Sequence, residues 1–161
     1  MRDRGGLPFI LKGVQTAEDA EIAIEHGVDT IYVSNHGGRQ LDHGDGTLEI
    51  LKEIALVAKG NAEIVVDGGF LRGTDVLKAL AVGADVVALG RFQAWALAAG
   101  GQATLVRALE IMEAEIKNAM GLIGVSSLDQ IDASYVKEVR SVSQSHELSA
   151  FPFLPEEIRG P

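Results

Sequence analysis

The apolar residues of this chain fall into four short runs, separated by polar and glycine-rich segments. Each run is bounded by glycine or a polar residue, and we predict strands at residues 8–11, 30–33, 63–66 and 85–89. Apolar character within the runs is nearly continuous rather than alternating, which is typical of parallel strands covered on both faces. The pattern therefore predicts four buried, parallel strands.

Helical patterns lie between these strands, and each has its own start and stop signals. The starts carry Thr or Asp as N-cap candidates, and glycine follows the last helical residue. The predicted helices lie at residues 17–26, 47–59 and 76–82, with start signals at Thr16, at Thr47 and at Thr74 with Asp75. Alternation of strand and helix predicts an α/β fold with a parallel sheet, either doubly wound or closed as a (β/α)8 barrel.

The last third of the chain has a different pattern. Between residues 102 and 120 apolar side chains recur at helical spacing, at Leu105, Leu109, Met112 and Ile116. A long amphipathic helix that covers one side of the sheet is the expectation. Residues 140–161 are rich in serine and proline and lack periodicity, so we predict an extended or disordered tail after a domain at residues 1–139.

Composition and charge narrow the classes of function. The chain has 161 residues and a formal net charge of −9, which argues against a nucleic-acid partner. No apolar run approaches the roughly 18 residues of a membrane span, so a cytoplasmic location is expected. The sequence has no cysteine, and its four histidines lack metal-ligand spacing, so no metal site is expected.

Polar and glycine residues cluster where the predicted strands end. The clusters are Lys12 after the first strand, residues 34–39 after the second, Asp67, Gly68 and Gly69 after the third, and Gly90 and Arg91 after the fourth. Alone, each has a plain structural explanation, such as a solvated lysine, a glycine turn or a surface arginine. Together they predict one functional rim, because the carboxyl ends of barrel strands build the active site.

The residue types on this rim indicate a chemistry. Glycine-rich turns after the last two strands expose N–H groups to an anion, and Arg91 adds a bidentate donor, so a phosphorylated ligand is predicted. His36 can exchange a proton near neutral pH and serve as general base. Arg39 could grip a substrate carboxylate beside it, while Lys12 would supply fixed positive charge to a developing anion.

Several strings of this sequence resemble one enzyme family. They are PFILKGVQTAEDA, YVSNHGGRQLD, VDGGFLRGTDVLKALAVGADVVALGR and MGLIGVSS, spread over about residues 8–131. They are similar to the C-terminal half of the FMN-dependent α-hydroxy-acid oxidases and dehydrogenases, which include glycolate oxidase, lactate oxidase and mandelate dehydrogenase. The resemblance implies the second half of a TIM (β/α)8 barrel, FMN as cofactor, and oxidation of a small 2-hydroxy acid to the 2-oxo acid.

The resemblance also implies a role for each residue of the rim. His36 would be the base that removes a proton from the 2-hydroxy acid, and Arg39 would bind its carboxylate. Lys12 would stabilise the reduced flavin, and Ser34 would contact it. The ribityl phosphate would be held by Asp67, Gly68, Gly69, Gly90 and Arg91.

Two departures from the family pattern stand out. Leu71 occupies the position two residues after the Gly-Gly pair where the family commonly has arginine, which leaves Arg72 as the nearby cation. The family also takes tyrosines, and an aspartate that orients the histidine, from the N-terminal half of the barrel. The expected partner is therefore that missing half or a second copy of this chain. The alternative is a non-catalytic, self-associating half barrel that binds flavin or phosphate.

Overall fold

The structure, a computed structural model, describes residues 6–41 and 43–139. The tail predicted at residues 140–161 lies outside the described residues. The strands are β1 (Ile10–Val14), β2 (Thr30–Val33), β3 (Glu63–Val66) and β4 (Val86–Val87). The helices are α1 (Ala17–Glu25), α2 (Thr47–Ala58), α3 (Gly73–Val82) and α4 (Arg91–Ile123), with 3-10 turns at His36–Gly38, Leu128–Gln130 and Ala133–Tyr135.

The four strands form one sheet in the order β1-β2-β3-β4, and all neighbouring pairs are parallel. This confirms the predicted α/β fold of parallel β/α units. Because each strand is placed beside its predecessor and crossovers share one hand, α1, α2 and α3 follow one another on one face of the sheet. A doubly wound sheet would reverse its order, whereas sequential order is the arrangement of a (β/α)8 barrel.

The core lies between the sheet and this layer of helices. Alternate side chains of β2 and β3 point into it, and α1 and α2 close it from the other side. Its largest fully buried apolar side chains are Ile31, Val33, Leu51, Ile54, Ile64 and Val66. The central strands are thus fully buried on the face toward the helices, whereas Tyr32 and Val65 on the other face are only partly buried.

The outer strands differ from the prediction. β1 begins at Ile10 and runs to Val14 instead of covering residues 8–11, because the segment around Lys12 pairs with β2. β4 is limited to Val86–Val87 instead of residues 85–89. Both strands are edges of the sheet and are largely exposed, so the prediction that all four strands are buried is wrong.

The start of α3 is set by contacts that local sequence does not reveal. The helix begins at Gly73 instead of residue 76, and Asp75 acts from inside it by accepting hydrogen bonds from the N–H groups of Leu71 and Arg72 (3.2 and 3.0 Å). Glu115 of α4 accepts a third bond, from the N–H of Gly73 (2.8 Å). Two carboxylates therefore satisfy N–H groups at this helix start. The predictions for α1, with its Thr16 cap, and for α2 are confirmed.

Helix α4 is longer than predicted and is broken. It starts at Arg91, and Gly100 and Gly101 interrupt it, the latter with φ 69° and ψ −152°. The part after the break corresponds to the predicted helix at residues 102–120, but it packs mainly against α3 rather than over the sheet. Of its predicted apolar face, Met112 is buried while Leu109 is 45% exposed. The prediction that it covers the sheet is therefore wrong.

None of the helices within residues 6–41 and 43–139 is long and apolar enough to cross a membrane. The cytoplasmic location stays a prediction.

Candidate active site

Lys12, Tyr32, Ser34 and Asp67 form a polar cluster at the carboxyl ends of β1, β2 and β3. Lys12 lies within β1 instead of following it, opposite Tyr32 of β2. The Lys12 Nζ donates to Ser34 Oγ (2.8 Å) and to Asp67 Oδ2 (2.5 Å), and it lies 3.8 Å above the centroid of the Tyr32 ring. The strand ends thus bring three predicted site residues together, with a tyrosine that sequence reasoning missed.

The charges of this cluster change the pKa values of Asp67 and Tyr32. Burial raises the pKa of Asp67, but hydrogen bonds from Lys12 and Ser34 and the charge of Lys12 outweigh it and hold that pKa below its usual value. Burial, then the charge of Asp67 and a hydrogen bond with it, raises the pKa of Tyr32 to about 12. Asp67 is therefore an anion at neutral pH, and Tyr32 is neutral.

Replacing Asp67 by asparagine is expected to lower the pKa of Tyr32 from about 12 toward, but not fully to, its ordinary value of about 10. The charge of Asp67 is lost, whereas the burial of Tyr32, which also raises this pKa, remains. The raised pKa also has a consequence for stability: neutral Tyr32 stabilises the fold below pH about 10, and this contribution disappears as the pH rises through about 12. Absorbance at 295 nm measures the titration in a Tyr135→Phe background, since the sequence has two tyrosines. Titration of Tyr32 near pH 10 before Asp67 is replaced would contradict this.

The turn after β2 carries His36 in an unusual backbone conformation. His36 has φ 55°, in the left-handed region that residues other than glycine seldom enter, and Gly37 follows with φ 68°. Asn35 holds the turn, because its Oδ1 accepts from the Gly38 N–H (3.2 Å) and its Nδ2 donates to the Asp45 carbonyl (3.3 Å). Ser34 Oγ accepts from the His36 N–H (3.1 Å). The strained backbone is thus fixed by neighbours on both sides.

The ring of His36 is exposed and has an amide neighbour. Its Nδ1 lies 3.3 Å from Gln40 Nε2. If this amide nitrogen donates to the ring, Nδ1 is the acceptor and the ring proton is on Nε2. To accept a proton at Nε2, the ring must carry its own proton on Nδ1. A hydrogen-bond acceptor beside Nδ1 stabilises that tautomer. In the part of the chain that the structure describes, the group at Nδ1 is this amide and not a carboxylate.

A cavity of about 360 Å³ opens beside this turn. The predicted site residues that line it are His36, Arg39, Asp67, Gly68, Gly69, Gly90 and Arg91. Lys12 and Ser34 are not among the lining residues, but both interact with Asp67, which is. The guanidinium of Arg91 lies against Gly37, where a Cβ would be 3.4 Å from Arg91 Nη2. The predicted residues therefore surround one space, with both arginines and His36 on its wall.

Different physical reasons explain why glycine occupies several positions on this wall. Gly68 has φ 106°, and a Cβ there would lie 2.6 Å from Thr47 Oγ1, so the start of α2 excludes a side chain. Around Gly69 (φ 85°) and Gly90, a Cβ would meet no described atom within 4 Å. These two turns leave their backbone open to a ligand.

Apolar residues complete the wall, and sequence reasoning missed most of them. They are Phe70, Leu71, Ala88, Phe92, Ala94 and Trp95.

Arg72, the cation expected near the phosphate, instead pairs with Glu115 through Nη2 (2.6 Å) and Nε (2.8 Å). Arg72 therefore does not replace the arginine that Leu71 displaces. Phe92 and Trp95 lie one turn apart at the start of α4, a spacing that could have indicated them.

Asp67, which lines this cavity, has one carboxylate oxygen without a partner among the described residues. Asp67 Oδ1 is buried and has no hydrogen-bond partner within residues 6–41 and 43–139. Buried carboxylate oxygens are normally hydrogen-bonded. This oxygen, the open glycine turns and Arg91 fit a ligand that carries both hydroxyl groups and an anionic group.

Comparison with known proteins identifies the family. Residues 1–138 match the family model described as FMN-dependent dehydrogenase. The chain belongs to this family. It is 48% identical over 130 residues to an L-lactate oxidase of Nostoc sp., a match that covers 81% of this chain and 36% of that protein.

Solved structures agree with this assignment. A structure of mandelate oxidase with benzoyl-formic acid shares 46% identity and a TM-score of 0.78, over 81% of this chain and 39% of that one. A mandelate oxidase mutant with the monooxide FMN adduct shares 46% identity and a TM-score of 0.77, over 81% of this chain and 41% of that one. The predicted family and fold class, and FMN as the family's cofactor, are confirmed. The chain spans well under half the length of these relatives.

Proposed function

We propose that this chain provides the base-bearing and phosphate-binding side of an FMN-dependent 2-hydroxy-acid oxidase or dehydrogenase. The observation that carries the proposal is the convergence of His36, Arg39, Asp67 and Arg91 on one cavity at the carboxyl ends of parallel strands. Relatives named L-lactate oxidase and mandelate oxidase support a small 2-hydroxy acid as substrate.

His36 and Arg39 suit the two ends of such a substrate. Three residues apart on one exposed turn, they line the same cavity, so a carboxylate gripped by Arg39 would bring the adjacent carbon within reach of His36. His36 would accept the proton that the substrate loses. When bound, FMN would accept the two electrons released in the oxidation.

Asp67 and Arg91 suit different parts of the cofactor. A carboxylate repels a phosphate, so the role first expected of Asp67, as a phosphate ligand, needs revision. Its unpartnered Oδ1 is an acceptor for a hydroxyl group, and we assign it to the ribityl chain. Arg91 and the open turns at Gly69 and Gly90 would hold the phosphate.

Lys12 provides the positive charge of the site. Its ammonium group is fixed beside Asp67 and Ser34, and 44% of its side chain remains exposed at the end of the sheet. A preorganised cation there would stabilise negative charge as it develops on the reduced flavin. Ser34, which is buried, orients this ammonium group through the hydrogen bond from Lys12 Nζ.

The proposal includes a partner that covers the open side of the sheet. Leu7, Ile10 and Val86 are 76%, 54% and 42% exposed, and they lie in or beside the two edge strands. Uncovered edges with apolar side chains favour pairing with further strands. The partner would be the other β/α units of a complete barrel, which would also bring the carboxylate that His36 needs at Nδ1.

Turnover by the purified 161-residue chain tests whether catalysis needs both this chain and the partner that supplies the carboxylate for His36. We expect it to bind FMN but to oxidise lactate, glycolate or mandelate at least about 10³-fold more slowly than a complete barrel, because the tautomer of His36 is unsupported. Flavin reduction under anaerobic conditions measures the rate, and His36→Gln gives the background. Rapid oxidation without a second polypeptide would overturn the need for a partner. Failure to bind FMN would overturn the proposed function.

The exposed edges also favour a second candidate, a self-associating module that binds flavin without catalysis. It predicts a dimer or larger species in sedimentation at micromolar concentration, with His36→Gln indistinguishable from the unmodified chain in every flavin assay. A monomer would count against this candidate.

A further inference from the structure

Tyr32 and Lys12 are neighbours by strand register. Lys12 of β1 is paired with Tyr32 of β2, so both side chains leave the same face of the sheet at the same height. This is the face opposite the helical layer, since Ile31 and Val33 point into the core. The Tyr32 ring is therefore a lateral support for the Lys12 side chain.

The contact between them has the geometry of a cation–π interaction. Lys12 Nζ lies 3.8 Å from the ring centroid, well within the range of about 6 Å over which such contacts attract. Ser34 Oγ and Asp67 Oδ2 bind the same ammonium group through hydrogen bonds. The ring thus approaches the ammonium group as a third neighbour, beside the two oxygen atoms.

The flexibility of lysine explains why a third contact matters. A lysine side chain has four rotatable bonds and loses much rotamer entropy when its ammonium group is fixed. Asp67 and Ser34 both belong to strand ends on one side, and 44% of the Lys12 side chain is exposed. Without the ring, the ammonium group could turn away from the cavity toward solvent while it keeps one hydrogen bond.

We propose that Tyr32 is a positioning residue, whose ring holds the Lys12 ammonium group at the edge of the cavity. The inference rests on the proposed function, in which Lys12 acts on the flavin. It assigns the effect to the aromatic face of Tyr32, so phenylalanine should replace tyrosine and leucine should not. The phenolic hydroxyl, which interacts with Asp67, is secondary.

A first experiment tests the contact without any cofactor. The ring current of Tyr32 should shift the ε-methylene protons of one of the six lysines upfield in the spectrum of ¹³C-lysine-labelled chain. Lys12→Met identifies that signal. We expect Tyr32→Phe to keep the upfield shift, Tyr32→Leu to abolish it, and Tyr135→Leu, the matched control at the other tyrosine, to leave it unchanged. An unshifted Lys12 signal in the unmodified chain would overturn the proposal.

A second experiment tests the consequence by the reduction potential of bound FMN. Lys12→Met should lower the potential, because a cation that favours the reduced anion is lost. Tyr32→Leu should lower it by roughly half of that shift, and Tyr32→Phe and Tyr135→Leu should leave it unchanged. In the double variant Lys12→Met/Tyr32→Leu, the shift should equal that of Lys12→Met alone, because Tyr32 acts through Lys12.

The two experiments separate the possible failures. If the shifts of the two single variants add in the double variant, or if Tyr32→Phe behaves like Tyr32→Leu, the positioning role is wrong while FMN binding stands. If FMN does not bind, the proposed function fails, and the lysine spectrum alone decides whether Tyr32 fixes Lys12.

Discussion

Replacing Arg91 by leucine is expected to weaken FMN binding by about 10- to 160-fold, the worth of a charge-assisted bidentate contact of roughly 1.5–3 kcal/mol. Arg72 cannot compensate, because Glu115 holds its guanidinium through two contacts, and Leu71 provides no charge. Riboflavin, which lacks the phosphate, should bind equally well before and after the substitution. Trp95, which lines the cavity and is the one tryptophan of the sequence, reports both titrations by its fluorescence.

Arg107→Leu is the matched control for this experiment. Arg107 belongs to the same helix but is exposed and pairs with Glu110 (3.0 Å), away from the lining of the cavity. It should change FMN binding by less than about twofold. An equal loss of FMN and riboflavin affinity in Arg91→Leu would mean that Arg91 supports the fold of the cavity and not the phosphate.

Replacing Gly73 by valine is expected to destabilise the fold by roughly 3 kcal/mol or more. A Cβ at this position would lie 2.5 Å from the backbone N of Ile116 and 2.8 Å from the backbone C of Glu115. Backbone atoms cannot move aside as a flexible side chain can, so α3 and α4 must separate. The separation would also remove the bond from the Gly73 N–H to Glu115 and the contacts with Arg72. Urea unfolding followed by circular dichroism measures the loss.

Gly121→Ala provides the control on the same helix α4. A Cβ at Gly121 meets no described atom within 4 Å, so the substitution should be neutral or should stabilise the fold by up to about 1 kcal/mol through helix propensity. If Gly73→Val unfolds at the same urea concentration as the unmodified chain, the close approach of α3 and α4 is wrong. If both variants are equally destabilised, the effect is one of glycine replacement in general.

Local signals were sufficient wherever the deciding contact lies within a few residues of the chain. The start of α1 is set by the Thr16 side-chain cap, and the start of α2 at Thr47 and the two central strands by side-chain pattern, which the sequence contains directly. The convergence of the predicted site residues could be foreseen for a similar reason. Parallel strands place all their carboxyl ends on one side, so Lys12, His36 and Asp67 must meet once the strands are recognised.

Features that depend on distant residues escaped prediction. Nothing near Thr74 indicates that Glu115, more than 40 positions later, binds the Gly73 N–H and allows α3 to begin earlier. The same holds for Arg72, the cation nearest to Leu71 in the sequence, because its partner Glu115 is equally distant along the chain. The pattern around Tyr32 predicts only a residue of an apolar strand, because its contact with Lys12 depends on register with β1.

The break at Gly100 and Gly101 divides α4 into two rods with separate attachments. The first rod carries Arg91 and Trp95 to the cavity, and the second is fastened to α3 through Glu115. Gly101 has a backbone conformation essentially confined to glycine, so the angle between the two rods depends on this residue being glycine. A side chain at Gly101 would be strained in this conformation although it would meet no described atom within 4 Å, so the presentation of Arg91 to the cavity depends on a residue ten positions away.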